Sequence, residues 1–161
     1  MTNDERQIFG QNLLTLIRQR NWSIRQAAIA LHYNRQDLSA ITVGRKNFKL
    51  ETAVKFAKFF NVSLFLLFSR QFRNSDYRNQ FPFIETDYMN VIRTNFKNSC
   101  VSQASLPLDP TTTSHIMHGR RKNLTISTLI KLSSGKVEFL SELLKTNNDK
   151  LKEIKLQEDT E

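Results

Sequence analysis

Apolar positions recur every three or four residues along this chain, in short runs separated by polar breaks. Ile8, Leu13, Leu14, Leu16 and Ile17 mark an amphipathic helix that ends near Arg20-Asn21. Ser23 then stands where an N-cap belongs, ahead of "IRQAAIAL", whose alanines suit a helix that must approach its neighbours closely. "HYN" breaks the pattern, and Asn34 caps a second short helix over "RQDLSAITV". Gly44 ends it, as a residue free to take positive φ would. After the basic loop "RKNFK" comes a longer helix with Leu50, Ala53, Val54, Ala57 and Phe60 on one face, and Ser63 caps a last short one over "LFLLF". No stretch alternates with period two, and the chain holds only 4 Gly and 3 Pro, so helices are favoured over strands.

The second half repeats this order. "VGRKNFKLETAVKF" (Val43 to Phe56) returns as "HGRRKNLTISTLIKL" (His118 to Leu132), with one extra residue between the glycine and the Lys-Asn pair. Lys122, Asn123 and Leu124 stand for Lys46, Asn47 and Phe48; Thr128, Ile130, Lys131 and Leu132 stand for Thr52, Val54, Lys55 and Phe56. Upstream, Ser114 and Ile116 match Ser39 and Ile41. Asp109 is an N-cap with Pro110 at the first helical position, where proline is favoured. Val101 to Leu106 resembles the start of the Ser-capped helix, with Ser102 as the cap, and "DYMNVIRTNF" supplies an opening helix. Pro107 stands where helix would continue, so the first motif helix of this copy is expected to be clipped by about one turn.

The stretch between the copies lacks Gly and carries Phe72, Tyr77, Phe81, Phe83 and Ile84. Either these aromatics weld the two halves together or each completes its own small core. Phe56 and Phe59 lie off the stripe filled by Leu50, Val54 and Ala57, which favours the weld. The expected organisation is residues 1–68, an aromatic linker over 69–86, a second unit over 87–146, and a frayed polar tail over 147–161.

Charge adds a partner. The chain carries a formal net charge of +9, distributed as +8 over residues 1–80, +4 over 81–136 and −3 over 137–161. A basic body points to a polyanion, nucleic acid or an anionic membrane. The longest apolar run, Leu64 to Phe68, is far short of the roughly 20 residues that a span needs. The polar start lacks a secretory pattern, and the single cysteine, Cys100, reads as a small buried apolar residue; a cytoplasmic protein is expected.

The residues Ser23, Ala28, Leu31, Asn34, Leu38, Ile41, Gly44, Arg45, Asn47, Leu50, Thr52, Lys55, Ala57, Val62, Ser63 and Leu67 stand in register with one known pattern. Over about Arg6 to Phe68 the chain resembles the Cro/cI-type (XRE) helix-turn-helix family. It departs from it at His32, the family's turn glycine, at Thr42, its glutamate, and at Ile24, its phosphate-contacting glutamine. The resemblance implies an all-α fold, here with two helix-turn-helix (lambda-repressor-like) domains packed as a pseudo-dimer, the second degenerate. It further implies that the second motif helix reads bases in the major groove. Carried over, the readers are Arg35, Gln36, Ser39 and Ala40, and in the second copy Thr111, Thr112, Ser114 and His115. Phosphate contacts fall to Asn34, Arg45, Lys46, Asn47 and Lys49, and to Gln103, Arg120, Arg121, Lys122 and Asn123.

No catalytic constellation is present. The three histidines, His32, His115 and His118, have no cysteine or carboxylate cluster at metal spacing, and no phosphate-cradling glycine loop occurs. Neither enzyme activity nor a cofactor is expected. The expected partner is double-stranded DNA, bound by a monomer through two successive major grooves at an asymmetric site, with other transfer or transcription proteins as further partners. The chain resembles the two-module accessory proteins of Gram-positive conjugative plasmids, which implies binding at an origin of transfer. A phage- or plasmid-type repressor is the alternative role, and a protein-interaction module with vestigial DNA binding is the alternative class.

Overall fold

A computed structural model of the chain describes residues 4–99, 101–121, 123–133 and 137–160. Cys100 and Lys122, singled out above, lie outside the described residues. The helices run α1 (Asp4–Gln19), α2 (Ile24–Ala30), α3 (Arg35–Thr42), α4 (Leu50–Phe60), α5 (Leu64–Leu67), α6 (Ser75–Arg78), α7 (Tyr88–Asn98), α8 (Pro110–Met117), α9 (Ile126–Leu132), α10 (Val137–Leu143) and α11 (Asn147–Thr160), with 3-10 turns over Arg70–Arg73 and Gln103–Ser105. The fold is all-α. Among the described residues the only extended pairing is one antiparallel bridge, Lys49 to Thr125.

Local chemistry sets the first five helices. Ser23 and Gln26 form a reciprocal capping box at the start of α2: the Gln26 N–H donates to Ser23 Oγ at 3.2 Å and the Ser23 N–H to Gln26 Oε1 at 2.8 Å. Asn34 Oδ1 accepts from the Asp37 N–H at 3.0 Å and starts α3. His32 takes φ +51 in the turn, the left-handed region that the family's glycine would fill without cost. Its carbonyl accepts from Lys55 Nζ at 3.3 Å, which ties the turn to α4. Gly10 lets α1 touch the end of α3 backbone to backbone. A Cβ there would lie 2.5 Å from the Ile41 carbonyl oxygen and 2.6 Å from that of Thr42. Ser63 occupies the N-cap of α5, but its hydroxyl donates to Asp149 at 2.9 Å instead of capping its own helix.

Buried positions repeat in order along the chain. Leu38 and Ile41 of α3 have Thr113 and Ile116 of α8 as counterparts; Phe48, Leu50, Ala53 and Phe56 have Leu124, Ile126, Leu129 and Leu132; Leu64 and Leu67 have Leu140 and Leu143. One polar device also recurs. Asn12 Nδ2 on α1 donates to the carbonyls of Leu66, Leu67 and Ser69 at 3.0–3.3 Å, closing the end of α5. Asn95 Nδ2 on α7 donates to those of Glu142, Leu143 and Lys145 at 2.8–3.3 Å, closing the end of α10.

The halves meet by exchanging helix caps. The Leu50 N–H donates to the Leu124 carbonyl at 2.6 Å, and the Ile126 N–H to that of Phe48 at 2.7 Å. Asn47 Oδ1 accepts from the Ser127 N–H at 2.9 Å, and Asn123 Oδ1 from the Glu51 N–H at 3.3 Å. The first two N–H groups of α4 and of α9, unpaired within their own helices, are thus satisfied by the opposite half. Arg6 reaches across to the Ser127 hydroxyl, and Ser141 Oγ donates to the Phe65 carbonyl at 3.2 Å where α5 meets α10.

Two expectations are corrected here. Phe56 and Phe59 do not join the halves. Phe56 meets Tyr33 edge-on at 5.3 Å in the first core, and Phe59, exposed, packs with Trp22 and Phe60 beneath the Arg20 guanidinium, so the ring partners of both lie in the first half. Phe65 and Phe81, edge-on at 5.1 Å, pack the 69–86 stretch against α5 instead, with Lys145 Nζ 5.2 Å from the Phe65 ring centre. The polar tail is helix α11, held by polar contacts along its first half and by Leu156, which packs against the core. Asp149, 1% exposed, accepts from Ser63; Tyr77 donates to Glu153 at 3.2 Å; and Lys150 Nζ donates to Asn95 Oδ1 at 2.6 Å.

Candidate nucleic-acid interface

Helices α2 and α3 form a pair around the His32 turn, with α3 pinned from behind by α1 through Gly10. Leu38, Ile41 and Thr42 point into the core, which leaves Arg35, Gln36 and Ser39 exposed and Ala40 half-buried on the outer face. These four residues stand on one stripe, as residues three and four apart on a helix do. Asn34, at the cap, is exposed as well. Tyr33, half-buried beside the turn, has its phenol raised above its ordinary value, first by burial and then by the Asp37 carboxylate.

The loop that follows carries the expected phosphate contacts. Gly44 takes φ +79, and the Arg45 N–H closes on the Ala40 carbonyl at 3.0 Å. Arg45 and Lys49 are exposed. Lys46 is half-buried and paired with Asp37 at 3.3 Å, so a phosphate would compete with that carboxylate for it. Asn47, read as a phosphate contact, spends its side-chain oxygen on the cap of α9; only its amide NH2 remains for a phosphate.

The second surface is built the same way with different residues. Asp109 Oδ2 accepts from the Thr112 N–H at 3.2 Å to start α8, and Thr113 and Ile116 face inward. Thr111 is exposed; Thr112, Ser114 and His115 are half-buried. Gly119 takes φ +75, and the Arg120 N–H closes on the His115 carbonyl at 2.9 Å. Arg120 and Arg121 are exposed, and Asn123, like Asn47, gives its oxygen to the opposite half. Gln103 lies exposed in a three-residue 3-10 turn, which stands where the clipped motif helix was expected. Arg93 of α7 sits over the loop, with Nη1 3.8 Å from where a Cβ on Gly119 would be.

Sequence reasoning missed Asn12 and Asn95, and it passed over Val43 and His118, the exposed C-caps of α3 and α8. A cleft of about 540 Å3 lies apart from these residues, between the Arg70–Arg73 turn and α11. Its one buried cation, Lys145, is ion-paired with Glu142 and Glu153. Among the described residues no group of three or more His, Cys, Asp and Glu is placed to hold a metal ion, and no helix is long and apolar enough to cross a membrane.

A capped helix, a tight turn and a second capped helix with an exposed polar stripe define a class: the helix-turn-helix, whose second helix enters DNA. The family comparison agrees, since residues 13–67 match the helix-turn-helix family model. That match spans about a third of the chain, from the middle of α1 to the end of α5, and supports DNA binding of the kind found in transcription regulators. No curated protein and no solved structure matches the chain.

Proposed function

We propose that the chain is a sequence-specific double-stranded DNA-binding protein in which residues 87–146 form a second, reduced helix-turn-helix. One monomer then presents α3 and α8 to two successive major grooves of an asymmetric site. The observation that carries this reading is the exchange of caps between Asn47 and Asn123 across the Lys49–Thr125 bridge. It ties the loops that follow the two reading helices into one rigid seam, so the second contact becomes an intramolecular event. The basic residues Arg45, Lys49, Arg120 and Arg121 flank that seam, in the place where phosphates between two grooves would pass.

Within this reading Arg35 pairs with guanine O6 and N7, and Gln36 with adenine N6 and N7, each contact worth about 1–3 kcal/mol of discrimination. The shorter side chains of α8 read less and serve mainly to hold register. The biological role proposed is that of an accessory or regulatory protein of a mobile element, and it rests on the sequence resemblance alone. A duplex selected from a random library by the full chain tests the function. Arg35→Ala and Gln36→Ala are each expected to weaken binding to the selected site about fivefold or more, in line with that discrimination, while binding to random duplex stays within twofold. Equal losses on both duplexes would remove these residues as readers. Sedimentation is expected to find one monomer per site; two copies per site would overturn the intramolecular pairing.

A further inference from the structure

Resting on that reading of the chain as a DNA-binding protein, we propose that each reading face extends one residue beyond its helix, to the C-cap. Val43 is a thymine-methyl contact, and His118 is a hydrogen-bond acceptor for the amino group of adenine or cytosine. Val43 is 53% exposed, a large apolar residue in the open at the end of the stripe that carries Arg35, Gln36 and Ser39. It stands three residues after Ala40 and four after Ser39, and so continues their stripe. Its place is fixed: the Gly44 N–H closes on the Ile41 carbonyl at 3.0 Å and the Arg45 N–H on that of Ala40 at 3.0 Å, bracketing Val43. A β-branched side chain has little χ1 freedom left to lose, so its methyls are pre-placed for an apolar target. In the major groove that target is the C5-methyl of thymine.

His118 occupies the matching place at the end of α8, before Gly119, and is likewise exposed. Its Nδ1 lies 2.8 Å from the Ser114 carbonyl oxygen and 3.2 Å from Ser114 Oγ. A carbonyl only accepts, so Nδ1 carries the proton in that bond. In the neutral ring this leaves Nε2 with the lone pair, an acceptor with a fixed tautomer. Acceptors in the major groove meet the N6 amino group of adenine or the N4 amino group of cytosine. The two C-caps therefore read opposite chemistries, one apolar and one polar, from equivalent positions.

The test uses the full chain and a duplex site selected from a random library, altered one base at a time. Replacing each thymine by uracil removes only a methyl group. One such change in the first half-site is expected to weaken wild-type binding about fourfold, the factor carried by one buried methylene-sized group, and to weaken Val43→Ala less than twofold. Replacing adenine by 2-aminopurine, or cytosine by 2-pyrimidinone, removes the major-groove amino group. One such change in the second half-site is expected to weaken the wild type about tenfold. It should leave His118→Ala unmoved, while His118→Gln, which keeps an acceptor, stays sensitive. Both residues are exposed, so unchanged melting curves verify folding. Sensitivities that are the same in the variants as in the wild type, or absent in both, overturn this inference and leave DNA binding intact. A chain that selects no site overturns both.

Discussion

Residues 4–68 and 88–143 share a frame and differ on a face. The frame chemistry is the same on both sides: within its own half, Asn12 or Asn95 closes a helix end with three carbonyls, and where the halves touch, Asn47 and Asn123 each cap the opposite one. Where each would face DNA, they diverge. The first half has a full α2 with a capping box, Asn34 at the cap of α3, and Gly10 behind it. The second has a single 3-10 turn, an acidic cap in Asp109, and Arg93 on α7 two residues before Asn95, as Gly10 is before Asn12. A guanidinium cannot fit where a glycine allows backbone contact, so Arg93 turns toward Gly119 instead. The lesson is that the packing frame and the exposed face are separable: the second half keeps the latch and the cross-cap while the stretch before α8 shortens to a 3-10 turn.

The largest expected effect tests the close approach behind α3. Gly10→Ala drives a methyl group into two backbone oxygens that cannot move independently, and should cost about 3 kcal/mol or more by urea unfolding. Arg93→Ala, at the matching place, should cost less than about 1 kcal/mol. Similar losses at the two positions would mean that α1 and α7 support their reading helices alike. Next in size are the two asparagine latches. Asn12→Ala and Asn95→Ala each remove a donor from a cluster of buried carbonyls and should each cost about 2 kcal/mol. A loss at Asn95 far below that at Asn12 would show that the second frame is not held as the first is.

What could be read from the sequence was local. Ser23, Asn34, Gly44 and the Asp109-Pro110 pair announce helix ends because their partners lie within four residues, and the repeat order of basic loop and support helix was visible for the same reason. The apolar stripe of α4 was legible in part: Leu50, Ala53, Ala57 and Phe60 are buried, and so is Phe56, whose place off that stripe favoured a weld between the halves. The cross-caps were not legible, because Asn47 and Asn123 find their partners 80 and 72 residues away. For the candidate surface, the stripe of Arg35, Gln36, Ser39 and Ala40 was readable, but Val43 was not, because nothing in a Val-Gly pair separates an exposed C-cap from a buried one. Helix α11 escaped because it docks through Asp149, Lys150 and Glu153, and a single packed apolar residue, Leu156, makes no period to detect.

The cap exchange makes a crosswise prediction of moderate size. Asn47→Ala should cost about 1 kcal/mol, and so should Asn123→Ala, the usual worth of a cap. Each loss should register in the other half. Amide exchange should quicken at residues 126–128 in Asn47→Ala and at residues 50–52 in Asn123→Ala. Quickening confined to the mutated half would mean that the seam transmits nothing, and the two surfaces would then act as separate modules on a tether.

The smallest expected effect lies in pH, and it probes the helix that ties the two halves from outside. Asp149 touches Ser63 of the first half, while its neighbour Lys150 reaches Asn95 of the second. Burial holds the Asp149 carboxyl above the ordinary carboxylate range, against the pull of the hydrogen bonds from Thr146 and Ser63. A raised pKa means that the folded state binds the proton more tightly than the unfolded chain does. The contribution of this group to stability is therefore full below the unfolded pKa and is lost as pH rises through the folded one. Asp149→Asn removes the titration while keeping the shape. The difference in urea midpoint between wild type and variant should shift against the wild type as pH rises across the mildly acidic range, and then level off once the carboxyl is ionised in both states. A difference that shifts the other way would mean that the hydrogen bonds from Ser63 and Thr146 outweigh burial, and that α11 docks through a stabilised charge.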